Sequence, residues 1–484
     1  MAHSPVNDSL PPELLIQVMS CLESPRDLYS LVVSSKHVYQ IFHYSRVVVL
    51  AAVIEKALPH GNINLAVTAC KAAAISRAWY AKTDCKTIEK QQEKFLVGRH
   101  GGHAPEPLLL HDYSLLISLY KLWWMLDYFM HLLEAKSLRV ASRKLLQVQN
   151  AKRSMSEFEK YRIQRSFLTF EIYRRITPAH QNPDIRNELY DQTIEFLKSY
   201  QPWQREEILS VEEFLIETSK DVIRSAREYT YRQVSSVAHD LAAQPDTIME
   251  PNPLQELGSL LELGGVDPFW HGFPPCARSL HYFASRGLPF MKWLLTISQS
   301  NQLHVVTLLT GERRAPSILE CLRIGHDEMT LAGEAICEVR DEDTDPSENS
   351  IDGPSCGWKW AETHDLTDGK PNILKRYELR RMGYCFWDAQ RLNEDWNFSE
   401  LSPSELELTP RSQNDDGQTW LKEEPESGFK AYFEGLDVPV NALNIKFRNF
   451  IDRLEEGRDF DEDEIYPFPP PFSEQETKLF NFEY

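Results

Sequence analysis

The chain has 484 residues, 42% hydrophobic and 11% aromatic, and a formal charge of −20. That length predicts two or three packed units rather than one ordinary core. The charge is uneven: residues 331–484 hold 36 Asp+Glu against 16 Lys+Arg, leaving 36 of each in residues 1–330. Phosphate-backbone binding needs a basic surface, so no nucleic-acid partner is expected. The N-terminus MAHSPVNDSLPP has neither a basic start nor an apolar run, so no export signal is expected. Eight cysteines without close pairs then fit reduced thiols in the cytoplasm or nucleus.

In chain order, the first predicted helix is LPPELLIQVMSCL, residues 10–22. Pro11 and Pro12 suit a helix opening, where the missing N–H has no intrahelical partner, and Glu13 places negative charge at the positive end of the helix dipole. At about 100° per residue, Leu14, Leu15, Val18, Met19 and Leu22 fall within an arc of about 140°. Cys21 and Ile16 widen it to roughly 220°, leaving only Glu13, Gln17 and Ser20 for water. A second helix starts at Ser24-Pro25-Arg26-Asp27, and its Leu28, Tyr29, Leu31, Val32 and Val33 span about 200°. A third, short helix is read over KHVYQIF, with Val38, Tyr39, Ile41 and Phe42 apolar. Three short helices cannot cover that much apolar surface among themselves, so later segments or another protein must supply the rest.

Helical signals continue to residue 340. The stretch LLLHDYSLLISLYKLWWMLDYFMHLL, interrupted by Asp112, Lys121 and Asp127, reads as a buried helix pair rather than a membrane span. Ser156-Glu157-Phe158-Glu159 and Ser210-Val211-Glu212-Glu213 each read as a helix start, because Ser and Glu three apart can satisfy orphan N–H groups. Loops are predicted at VGRHGGHAPEP, QPDTIMEPNP and GGVDPFWHGFPP, and no fixed-period repeat emerges. Beyond residue 340 come an acidic linker, DEDTDPSENSIDGPS, an amphipathic helix over ILKRYELRRMGYCFWDAQRL, and an acidic end with proline between Phe468 and Phe472. Phe167, Phe170, Tyr173, Phe386 and Trp387 are expected in the core.

Chemistry-bearing patterns are sparse. The chain contains no H-E-x-x-H, G-x-G-x-x-G or P-loop. His271, Cys276 and His281 form an H-x4-C-x4-H pattern that matches no standard zinc module. Asp341, Asp343, Asp345 and Asp352 mimic calcium-loop spacing, but Pro346 sits where a glycine-type turn is needed. Cys85 and Cys385 have no marked His or helix-start context that would argue for an activated thiolate. No catalytic residue, metal or cofactor is therefore expected.

The string Leu10-Pro11-x-Glu13-Leu14-Leu15-x-x-Val18-Met19-x-x-Leu22, then Asp27-Leu28 and Leu31-Val32, resembles the F-box over about residues 9–46. Segments IQRSFLTFEIYRRI and RRMGYCFWDAQRL are similar to parts of long fungal F-box proteins. The resemblance implies that Leu10, Pro11, Leu14, Leu15, Val18, Met19, Leu28, Leu31 and Val32 divide between a trihelical core and a surface that binds a Skp-type adaptor. Through that adaptor the chain would join a cullin–RING ubiquitin ligase and present a substrate protein held by its helical body. A tryptophan frequent near the end of the family's module is replaced here by Tyr39, Phe42 and Tyr44. The expected class is mainly α. In order, it comprises a disordered terminus (1–8), an F-box-like trihelical module (9–46), a large irregular helical domain (47–340), the acidic linker (341–357), a Trp-rich helical segment (358–400) and an acidic, partly disordered tail (401–484). An adaptor surface should leave Leu14, Val18, Met19 and Leu31 partly open to solvent, whereas a self-contained scaffold should cover them.

Overall fold

The computed structural model describes residues 10–58, 61–82, 112–144, 154–176, 194, 196–242, 277–299, 302, 305, 318, 353–364 and 376–396. The expectations for residues 1–8, the three predicted loops, His271, Cys276, Cys85, the aspartates of 341–352 and the tail 401–484 lie outside them. The described residues form helices and contain no strand. The protein is mainly α, as its periodicity implies.

The elements are α1 (Pro12–Cys21), α2 (Pro25–Ser34), α3 (Lys36–Ala57), α4 (Asn62–Lys82), α5 (Tyr113–Lys144), α6 (Glu157–Ile176), α7 (Pro202–Ala242), α8 (Ala277–Ser285), α9 (Gly287–Thr296), α10 (Cys356–His364) and α11 (Tyr377–Arg381), followed by a π-helical turn, Arg391–Asp395. Local chemistry accounts for several starts. In α2, Pro25 occupies the first turn and the Ser24 hydroxyl accepts from the Asp27 amide at 3.1 Å. In α6 the capping box closes both ways: the Glu159 amide donates to Ser156 Oγ at 3.1 Å and the Ser156 amide to Glu159 Oε2 at 2.9 Å.

Four expectations are corrected. The third helix does not stop at Phe42. It runs to Ala57, so residue 46 falls inside it, and Val49, Leu50, Val53 and Ile54 carry its buried stripe into the body. Its length and hydropathy match those of a membrane span, yet α1, α2 and α5 pack against it. The expected helix pair is one 32-residue helix, α5, since Lys121 and Asp127 can project sideways without breaking the backbone ladder. Ser210 does not start a helix. It lies within α7, where its hydroxyl donates back to the Glu206 carbonyl at 2.9 Å. The amphipathic helix of ILKRYELRRMGYCFWDAQRL is interrupted after Arg381. Gly383 takes φ +67°, and the chain folds back so that the Tyr384 amide reaches the Leu379 carbonyl at 3.2 Å.

The centre of the molecule is α6, packed by α4, α5, α7 and α9. It is buried around nearly its whole circumference, although Glu159, Arg162, Gln164, Arg165, Glu171 and Arg174 all lie on it. Burying a charge is costly unless it is paired, and these are paired. Arg165 grips Glu207 of α7 (2.7 Å), Arg174 reaches Glu212 (2.5 Å) and Arg162 reaches Asp388 (2.7 Å). Residues 376–396 are latched onto this framework: Arg380 binds Glu206 through two hydrogen bonds, and Arg391 binds Glu159 likewise. Trp387, Trp396, Phe386, Phe167, Phe170 and Tyr173 are fully buried in one hydrophobic cluster that runs from Leu15 to Trp396, so the aromatics lie in the core as expected.

Candidate partner-docking face

The over-wide apolar arc of α1 is half covered. Leu15 (2% exposed) and Met19 (0%) are sealed where α1 packs on α3. Leu14 (45%) and Val18 (46%) face solvent, and Pro11 and Cys21 continue the same stripe at helical spacing. Leu10, Ile16 and Leu22 are half-buried flanks. The helix is held in this pose from below, because Lys56 of α3 donates to the Ser20 carbonyl at 2.9 Å. That cation satisfies a carbonyl in the last turn of α1, at the negative end of its dipole.

The second helix divides in the same way. Leu28 (2%) and Val32 (1%) are buried, Leu31 is half-buried, and Val33 is 43% exposed. Arg26 ties α2 to the body through an ion pair with Asp127 of α5, its guanidinium lying 5.6 Å from the Trp124 ring centroid. Of the nine residues picked from the sequence, Pro11, Leu14 and Val18 are exposed, Leu10 and Leu31 are half-buried, and Leu15, Met19, Leu28 and Val32 belong to the core. Met19 was expected to be open and is not. It sits one turn beyond Leu15 on the α3-facing side, 100° from Val18. On α3, Phe42 packs inward, while Tyr44 (90% exposed) and Val48 (63%) point out, an exposed pair that the short third helix concealed. Their spacing of four residues was the available signal.

Other candidate chemistry is accounted for by packing. His281 lies on α8, 8% exposed, with Nδ1 3.7 Å from Glu212. No group of three or more potential metal ligands occurs among the described residues. Cys385 is buried against Ser210, and burial pushes its thiol well above the usual range, the opposite of an activated nucleophile. The run Gly353-Pro354-Ser355-Cys356-Gly357 has the G-x-S-x-G spacing of a nucleophile elbow. Ser355 is 1% exposed and caps α10, accepting from the Trp358 amide at 3.1 Å. Gly357 is small for packing, since a Cβ there would lie 2.0 Å from the Tyr384 carbonyl oxygen.

Comparison with known proteins yields no match to a family model, to a curated protein or to a solved structure.

Proposed function

We propose that the chain is a non-catalytic F-box adaptor of an SCF-type (cullin–RING) ubiquitin ligase. Its N-terminal helices would dock a Skp-type adaptor, and its helical body would hold the protein to be ubiquitinated. The observation that carries this reading is the α1 stripe of Pro11, Leu14 and Val18, exposed on a helix whose other apolar side is already packed. A helix laid into a partner's groove uses such i, i+3, i+7 anchors. Leu31 and Val33 on α2 would extend the contact. Delivery requires no bond-making group on this chain; it raises the local concentration of the substrate near the ligase.

The test is copurification of the full chain with a Skp-type adaptor. Replacing Leu14 and Val18 by Asp puts two charges into the dry centre of the contact and should abolish recovery while leaving the helical circular dichroism unchanged. Undiminished recovery with the folded double variant would remove this reading of the α1 face, and a wild-type chain that recovers no adaptor would favour a helical interaction scaffold outside any ligase. That second reading draws on the continuity of α3 with the body and on the self-covered Leu15, Met19, Leu28 and Val32.

A further inference from the structure

Among the described residues, the large apolar side chains that stand exposed are Leu14, Val18, Val33, Tyr44 and Val48. The first three belong to α1 and α2, whereas Tyr44 and Val48 form a separate face on α3. At about 100° per residue, His37, Tyr44, Val48 and Glu55 fall within an arc of about 40°. Gln40 and Glu55 are exposed, while His37 and the flanking Val47, Ala51 and Ala52 are half-buried. The buried stripe of Val38, Phe42, Val49, Val53 and Ala57 lies on the other side of the helix, and α1, α2 and α5 cover it. A 22-residue helix that is apolar on both sides has more surface to bury than these three neighbours take.

The charges around this face point to its occupant. Lys36 and His37 stand at the N-terminal end of the helix, and Glu55 about five turns further on. Lys56, beside Glu55, is engaged by the Ser20 carbonyl. Arg46 lies about 160° round the helix from Tyr44, with its guanidinium 4.1 Å from the Tyr113 ring centroid, so no charge sits at the middle of the face. The face is therefore apolar at its centre, basic at one end and acidic at the other. Its complement is the same face turned end for end. About a two-fold axis beside residue 46, Tyr44 meets the second copy's Val48, and Lys36 and His37 meet the second copy's Glu55, once at each end. The two helix dipoles then lie positive end to negative end. Parallel pairing would instead set Glu55 on Glu55 and Lys36 on Lys36.

We propose that this face of α3 is a homodimer contact, in which two chains pair their α3 helices antiparallel. His37, Gln40, Tyr44, Val48, Ala51 and Glu55 succeed one another at three or four residues, the spacing by which helices interlock side by side. Five paired turns bury on the order of 1,000 Å² in total, near the lower bound for a specific interface, so the dimer is weak, with Kd on the order of 10 µM. The contact uses none of the α1 residues and does not depend on the adaptor-docking role of Leu14 and Val18.

The experiment is sedimentation velocity of the full chain from about 1 to about 100 µM, with carbodiimide cross-linking mapped by peptide mass. The wild type should pass from monomer to dimer across that range, and the dimer should carry a Lys36–Glu55 cross-link. Within one helix these residues are about 28 Å apart, far beyond a bond formed without a spacer, so the link reports two chains. Tyr44→Asp alters a side chain that is already exposed and should keep the circular dichroism. It should weaken the dimer at least about a hundredfold, because the position enters the contact twice. Glu55→Lys should weaken it about tenfold, and adding Lys36→Glu and His37→Glu should restore it. Leu14→Asp with Val18→Asp should leave it intact. A chain that stays monomeric to about 100 µM overturns the contact, as does a dimer that Tyr44→Asp leaves unaltered or that the α1 pair abolishes. A dimer without the Lys36–Glu55 link, or one that the exchanged charges fail to restore, overturns the antiparallel pairing.

Discussion

Replacing Arg391 by Met probes the latch that holds residues 376–396 to the central helix. The Arg391 side chain is 2% exposed and donates to Glu159 at 3.0 and 2.9 Å, with Glu134 a further 3.3 Å contact. Its guanidinium lies 4.7 Å from the Trp387 ring centroid. Truncating one partner of a buried pair costs about 3–5 kcal/mol, because the other charge is left stranded. Glu159 keeps hydrogen bonds from the Ser156 and Asp388 amides, and Glu134 is partly wet, so the lower end, about 3 kcal/mol, is expected. Adding Glu159→Gln removes the stranded charge while retaining a carbonyl acceptor. The double variant should therefore lose only about 1 kcal/mol, a coupling of about 2 kcal/mol or more. Urea unfolding followed by tryptophan fluorescence reads this directly, since Trp387 and Trp396 stand 6.1 Å apart beside the pair. Additive single-variant losses would refute the reasoning.

Three further outcomes follow from the same geometry. Burial raises the Glu217 carboxyl, but Lys220, Arg381 and Tyr377 outweigh it and hold the group at about 2. Its stabilisation is present above about pH 4.5 and is lost as pH falls toward 2, so urea midpoints should drop across that window in the wild type and much less in Glu217→Gln. Lys292 follows the same sign at higher pH: the folded state resists its proton, so stability should rise between about pH 8 and 10.5, by up to about 3 kcal/mol. Lys292→Met should abolish that rise. Ser156→Ala removes the cap on α6 and the hydroxyl contact with Asp388, and should lower the urea midpoint by the equivalent of about 1–2 kcal/mol without changing the denaturant slope.

Local chemistry was legible in the sequence wherever its partners lie within one turn. The caps at Ser24 and Ser156 could be read because serine and its acceptor or donor are three residues apart. The same spacing at Ser210 misled, since periodicity cannot distinguish a cap from a serine bonded to its own helix. The true start lies at Pro202, where the Gln201 amide donates to Gln204 Oε1 at 3.1 Å. The centrality of α6 was hidden for a different reason. Its charged residues look like a solvent-facing surface until arginines and glutamates more than 35 residues apart are seen to pair, as Arg165 does with Glu207 and Arg174 with Glu212. On α1, the arc is wider than α3 covers, as its width implied, and Leu14 and Val18 stay exposed. Which half α3 takes depends on α3 continuing to Ala57, and nothing within residues 10–22 encodes that.

The most direct test of the docking face is the affinity of a Skp-type adaptor for the full chain and for Leu14→Ala and Val18→Ala, measured by isothermal titration. Each side chain is a little under half exposed, so completing its burial contributes about 1 kcal/mol, or about fivefold in Kd. The account predicts weakening by about that factor for each substitution and about 25-fold for the pair, with unfolding midpoints barely moved. A wild-type chain that does not bind, or an affinity indifferent to both substitutions, contradicts it.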